Sequence, residues 1–388
     1  MFALTGATIF PSPTHDVVRD GILLIDGTKI AAVCERARSA LPPNAHVVDC
    51  SGCTITAGFW NAHVHFFERK WSDAGAIPAG ELDSQLGDTF ARFGFTSVFD
   101  IGSAWENTET LRDRIASGEV HGPQIYSTGE PLLPPDALPE DSVLRVMGLM
   151  KVRGLEVSAA REASAAANAA IQKGADAIKV FASGQRGTTL DTDVIRSAVT
   201  VAHEAGKPVF VHPNTSADIH RALDGGVDVI AHTTPASGPW QEALIKKAVA
   251  LDAALTPTLM LWKSFMRHDR RSTQDTVVET AVRQLSGWRS GGGDVLFGTD
   301  LGAVDYDPTD EYSMMAQAGM RFEDVLASLT TAPARRFTDD RSCGQVKPSF
   351  AADLAVIDGD PASDITALSK IRYTIRGGEV VYRRMMAA

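Results

Sequence analysis

Eight short apolar runs, separated by stretches with helical texture, occupy the middle of this 388-residue chain. They are Phe59–His65, Thr96–Ile101, Gln124–Thr128, Ala177–Ala182, Pro208–His212, Val229–Thr233, Ala254–Leu259 and Val295–Asp300. Between them, the Ala-rich stretch Ser158–Lys173 and the stretch Asp191–Ala205 carry the clearest helix pattern. Apolar runs alternating with helices predict parallel β/α units, because parallel strands need a crossover and a helix supplies it. Eight such units close naturally into a barrel. The expected fold class is α/β, a distorted (β/α)8 TIM barrel over residues 58–341. The segment Pro131–Asp136 is expected as a loop over its mouth.

The two ends of the chain differ from the middle. Met1–Phe10, Gly21–Ile25, Lys29–Val33 and His46–Cys50 have β patterns, with a turn at Asp26-Gly27. Asp353–Asp358, Ile371–Ile375 and Glu379–Tyr382 repeat that texture, and Gly377-Gly378 between the last two is a hairpin signal. Each end alone would leave unpaired edges. Pairing the ends, residues 1–57 with 342–388, builds one small composite β-sandwich flanking the barrel.

Composition narrows the partners. Lys and Arg number 37 against 48 Asp and Glu, so the net charge is 37 − 48 = −11 and no basic field gathers nucleic acid. No apolar run reaches the ~20 residues that span a bilayer, so no membrane partner is expected. Met1–Asp20 lacks a basic head followed by an apolar core, which points to a cytoplasmic protein. The 4 cysteines are too sparse for a disulfide scaffold. Cys50 and Cys53 form a lone C-x-x-C without the second pair that a structural zinc needs, and they read as reduced thiols.

The chemistry-bearing residues stand at the ends of the runs. They are His63 and His65 in the first, Lys179 in the fourth, His212 in the fifth, His232 in the sixth and Asp300 in the eighth. In a parallel barrel the C-terminal strand ends share one mouth, so residues distant in sequence converge. His63 and His65 are two apart, which puts both on one strand face. Taken singly, each histidine reads as a hydrogen-bonded core residue. Together, four imidazoles and a carboxylate make a site for a borderline metal such as Zn²⁺. A lysine at the centre of a buried strand is costly unless paired or chemically altered.

These residues carry a resemblance. G-F-W-N-A-H-V-H at 58–65, A-I-K-V at 177–180, V-H-P at 211–213, A-H-T at 231–233 and G-T-D at 298–300 resemble the amidohydrolase superfamily of metal-dependent hydrolases. The closing A-A-D-L-A-V-I-D-G-D-P at 351–361 and G-G-E-V-V-Y at 377–382 fit the same pattern. The similarity covers nearly the whole chain and is greatest to the imidazolonepropionase- and prolidase-related branch, which has a lysine on the fourth strand. It implies that His63, His65 and Asp300 hold one metal and that His212 and His232 hold a second. Lys179, carboxylated by CO2 to a carbamate, would bridge them. The implied cofactor is two Zn²⁺, with another divalent transition metal as the alternative. The implied reaction is hydrolysis of a C–N bond in an amide, a peptide or N-acyl amino acid, or a cyclic amide. A metal-bound hydroxide attacks, and Asp300 acts as general base.

Two other readings compete with this one. A one-metal deaminase of the same superfamily would carry a glutamate three residues after the fifth-strand histidine, where this chain has Thr215. A non-catalytic barrel used for binding or assembly would have lost ligands, whereas all six positions are filled. The expected partner is a small-molecule substrate, and base rates favour a homo-oligomer. Candidate substrate contacts are Phe67 and Trp71 after the first strand, Tyr126 on the third, and Trp262 and His268 after the seventh. Arg186, after the lysine strand, could grip a carboxylate.

Overall fold

The computed structural model describes residues 1–38, 41–135, 137, 154–184, 187–267, 271–338 and 342–385. The chain opens with β1 (Phe2–Ile9), β2 (Val18–Asp26), β3 (Lys29–Glu35), β4 (His46–Asp49) and β5 (Cys53–Ala57). A parallel three-stranded sheet follows, made of β6 (Phe59–Val64), β7 (Phe95–Asp100) and β8 (Gln124–Ser127). Next come β9 (Leu132–Leu133), β10 (Leu155–Glu156), β11 (Ile178–Phe181), β12 (Val209–His212), β13 (Val229–Ala231), β14 (Ala254–Thr256) and β15 (Asp294–Val295). These form a second parallel sheet in the order β10-β9-β11-β12-β13-β14-β15. The chain closes with β16 (Leu354–Asp358), β17 (Ile371–Arg376) and β18 (Glu379–Arg383).

The two parallel sheets are hydrogen-bonded at both seams. At one, Ala62 N–H donates to Phe297 O and His65 N–H to Leu301 O, each at 2.7 Å. At the other, Asp176 N–H donates to Ser127 O at 2.8 Å. Strands β6 and β7 are buried along their whole length, as parallel strands covered on both faces must be.

Helices Ala160–Lys173, Thr192–Glu204, Ser216–Gly225 and Glu242–Ala250 alternate with the strands. Ile195, Ala198 and Ala202 recur on one face of the second, and Ile219, Ala222 and Leu223 on one face of the third. These stripes join Val180, Val209, Val211 and Ile230 of the strands in one core. Thr215 caps the third helix by accepting Asp218 N–H at 3.2 Å. Between the two parallel sheets a separate cluster holds Ala62, Phe99, Phe210, Ala231 and Leu296, with Tyr126 and Phe337 against it.

Both chain ends share one sheet. Its order is β18-β17-β16-β5-β1-β2-β3, with β4 alongside β1, and β5 joins β16 antiparallel from Ala57↔Leu354 to Cys53↔Asp358. Leu4, Ile9, Leu23, Ile55, Leu354, Val356 and Ile375 form its core. Gly377 and Gly378 link β17 to β18 at φ 55° and 81°, the left-handed pair of a tight hairpin. A side chain at Gly378 would meet Gly27 O at 2.0 Å, so the turn also needs glycine for the close approach. Cys50 and Cys53 are free and buried here, and burial pushes their thiols up to about 11 and about 12.

Three expectations change. The seventh strand ends at Thr256, because Pro257 cannot donate to a ladder and Thr258 turns left-handed before a helix begins at Leu259. The eighth keeps regular strand geometry only over Asp294–Val295, after which the chain follows β6 irregularly to a left-handed Asp300. The segment expected as a mouth loop contains β9, paired to β10 and β11. Among the described residues no helix is long and apolar enough to cross a membrane.

Candidate metal centre

His63 lies in β6, and His65 follows one residue past its end. Their Nε2 atoms stand 3.4 and 3.1 Å from Asp300 Oδ1. Asp300 reaches them from a backbone with φ 60°, a conformation Asp tolerates better than most side chains. Its N–H donates to His63 O at 3.0 Å. Asn61 staples the two segments together. Its Oδ1 accepts the N–H of His63 and of Thr299, both at 3.2 Å, and its Nδ2 donates to Thr299 Oγ1 at 2.8 Å.

The second group comes from the neighbouring strands. Lys179 is central in β11, His212 ends β12, and His232 follows β13. The His232 ring centroid is 4.5 Å from that of His63 and 4.9 Å from that of His212, and His232 Nε2 lies 3.8 Å from Asp300 Oδ2. His212 Nε2 faces Asn214 Oδ1 at 3.2 Å. The Asn214 amide is oriented by its Nδ2, which donates to Ser183 O and Oγ at 3.0 Å. His212 Nε2 is thus the donor, and Nδ1 keeps the free lone pair. Buried Asp218 anchors this corner, accepting the N–H groups of Asn214 and Thr215, the Ser183 hydroxyl and Arg221.

Burial sets the charge states. It holds His63 and His232 well below the usual imidazole range and brings His212 down to about 4, so these rings are neutral and able to ligate. Burial also opposes the charge on Asp300, but His63 foremost, a hydrogen bond from His65, and His232 hold its carboxyl well below the usual range. The Lys179 amine falls to about 7 through burial, against the pull of Asp300.

This donor set fits a divalent cation. Ligand atoms of His63, His232 and Asp300 all lie within 4.8 Å of one another. Lone pairs of neutral rings and one carboxylate, out of water, are what a borderline metal binds. His63 Nδ1 and His65 Nδ1 are buried without a hydrogen-bond partner among the described residues, so the Nε2 side carries their polar contacts.

The expected substrate contacts scatter. Phe67 stacks on the His65 ring with centroids 4.5 Å apart. Trp262 is half-buried and donates its indole N–H to Thr233 Oγ1 at 2.8 Å, beside His232. Trp71 is fully buried, edge-on to Phe66 and stacked on Phe90, with its indole N–H on Glu68, which is a packing role. Tyr126 is brought not to the histidines but to Trp60, on which it stacks at 5.1 Å, and to Phe99 in the interior cluster. Its side of β8 faces that cluster. Arg186 and His268 lie outside the described residues.

Sequence reasoning missed the groups that hold the candidate ligands in place. Asn61 was visible, since it shares a strand face with His63. Asp100 also stood at a run end. Its buried carboxylate accepts the hydroxyls of Ser103, Thr108 and Ser127, and Ser103 Oγ in turn accepts Phe66 N–H at 2.7 Å, fixing the turn after His65. Glu311, fully buried, accepts the N–H groups of Leu259 and Met260 at 2.9 and 2.7 Å. Nothing in the sequence marked it.

The strand ends of these parallel β/α units gather imidazoles and a carboxylate that could hold a metal, the arrangement of a hydrolase class built on such units. The Amidohydrolase family profile matches residues 54–381. The chain belongs to that family and is a hydrolase acting on carbon–nitrogen bonds. No curated protein matches it. Among solved structures, a prolidase complexed with N-methylphosphonate-L-proline is 25% identical, with TM-score 0.79, over 99% of this chain and 100% of that one. A Xaa-Pro dipeptidase with methionine bound in its active site is 20% identical, with TM-score 0.82, over 99% and 100%. The A. niger ochratoxinase is 19% identical, with TM-score 0.77, over 98% and 96%. The last two speak for the fold.

Proposed function

We propose that this protein is a two-metal hydrolase that cleaves an amide, a peptide or N-acyl amino acid bond, or a cyclic amide. The barrel, residues 58–341, would be a closed (β/α)8 unit beside the composite β-sandwich of 1–57 and 342–388. The hydrogen bonds at both seams and the shared terminal sheet support that division. The observation that carries the function is the convergence of neutral buried imidazoles on ionised Asp300, with the amine of Lys179 beside them. His63, His65 and Asp300 would hold one ion, and His212 and His232 the other, with zinc the first choice for such donors. A bound divalent ion polarises a carbonyl oxygen and lowers the pKa of water towards neutrality.

The chain's own residues do the rest. With its amine near 7, Lys179 exists partly as the free base at neutral pH, the form that adds CO2. From the ammonium, one proton leaves to give that free base; a nitrogen–carbon bond to CO2 then forms and a second proton leaves the nitrogen, so that the buried cation would become an anionic oxygen ligand. Asp300 stays ionised, so a carboxylate oxygen can take the proton of the attacking water and pass it to the leaving nitrogen. His212 and His232 present opposite ring nitrogens, Nδ1 and Nε2, so two adjacent strands serve one centre. Phe67 and Trp262 stand beside the histidines as walls of the substrate mouth. The prolidase complexed with N-methylphosphonate-L-proline supports a substrate in which a carboxylate-bearing residue follows the scissile bond.

The test is metal content with electron density beyond the Lys179 amine, together with a screen of zinc-loaded protein on N-acyl amino acids, dipeptides and lactams. Two ions, a carbamate and turnover of one class support the reading. A bare amine with one ion would refute the bridge.

A further inference from the structure

His232 has a hydrogen-bonding partner at Nδ1, whereas His63 Nδ1 and His65 Nδ1 have none among the described residues. His232 Nδ1 is 2.7 Å from Thr258 Oγ1. Thr258 is β-branched, yet its backbone is left-handed at φ 45°, ψ 53°, a conformation such residues rarely hold without support. The support is the buried carboxylate of Glu311. Both its oxygens accept backbone N–H groups, those of Leu259 and Met260, the two residues after Thr258. Glu311 belongs to helix Thr309–Gln317, which follows the loop leaving Asp300. It therefore ties the turn that serves His232 to the segment that carries Asp300.

We propose that Glu311 and Thr258 form a relay that positions His232 for the metal. Glu311 pins the strained turn, the turn aims Thr258 Oγ1 at Nδ1, and accepting Nδ1–H leaves the Nε2 lone pair facing Asp300. The inference rests on the two-metal reading of the centre. Neither residue touches a reacting atom, so both are positioning residues. An outer partner of this kind orients a ligating imidazole and fixes its tautomer, and its loss costs about 10–100-fold in metal affinity.

The relay is tested by chelator competition on the full chain, using zinc as the probe, with wild type, Thr258→Val, Thr258→Ser and Glu311→Gln side by side. Thr258→Val keeps the shape and removes the acceptor, and it should weaken one zinc site about 10–100-fold. Thr258→Ser keeps the hydroxyl and should stay within about threefold of wild type, which a merely structural role would not separate from valine. Glu311→Gln should weaken the same site, with circular dichroism confirming the fold. Should that variant fail to fold, the Val and Ser pair still decides. Equal zinc affinity of Thr258→Val and wild type overturns the relay while leaving the metal reading intact. Wild type without zinc affinity overturns the metal reading itself, and the relay with it.

Discussion

Asn61 donates its side-chain amide to Thr299 Oγ1 across 2.8 Å and so joins β6 to the segment that ends in Asp300. Its carbonyl oxygen accepts the N–H groups of His63 and Thr299. One buried side chain thus sets the spacing between the His63–His65 pair and Asp300. Asn61→Leu keeps the volume and removes every partner. Each buried group left unpaired costs about 1–3 kcal/mol. The urea midpoint should fall, and zinc affinity should fall with it. A variant with wild-type values for both would show that the staple is dispensable.

Asp300→Asn tests the proton path. The amide keeps the shape of the side chain and can still accept from neighbouring donors, but it cannot take a proton at neutral pH. Turnover of the metal-replete variant should drop about 10²–10⁴-fold at unchanged fold. Near-native turnover would remove Asp300 from proton transfer.

Lys179 makes stability depend on pH when metal and CO2 are removed. Its amine sits at about 7 in the folded protein against 10.5 when unfolded. Between those values the unfolded chain binds more protons, so stability rises with pH across that window. The penalty for the buried charge is fully present below pH ~7 and gone above ~10.5. Chelator-treated protein in CO2-free buffer should therefore show a urea midpoint that climbs from pH 7 to 10. Lys179→Met should be more stable at pH 7 and lose that climb. An equal climb in both would assign it elsewhere.

Gly298, in the irregular segment after β15, packs against both Thr256 and His63. A Cβ there would lie 2.3 Å from Thr256 Cγ2 and 2.7 Å from His63 Cβ. Gly298→Ala should cost about 1–3 kcal/mol by overpacking and displace His63. Differential scanning calorimetry should show a lower Tm, and zinc titration a weaker site. An unchanged Tm would mean that the strands part at no cost.

The candidate ligands were legible because each stands in a short buried run whose period and composition declare a strand. His63 with His65 and Lys179 in A-I-K-V needed only the strand rule to be placed. The seventh and eighth strands were overextended for the opposite reason. Their ends are governed by Pro257, by left-handed Thr258 and Asp300, and by the close approach at Gly298, none of which alters the apolar pattern. Tyr126 was misplaced because an aromatic on a strand can face either the mouth or the interior stack, and only packing against Trp60 decides.

Local order thus determined which residues could ligate, since a strand's period and the need to bury apolar runs act within a few positions. Tertiary structure alone decided their orientation. The Asn214 amide facing His212, the Thr258 hydroxyl facing His232 and the Glu311 carboxylate under the turn are contacts between segments far apart in the chain. Hydrogen bonds are directional and short-ranged, so they exist only once packing has brought their partners together.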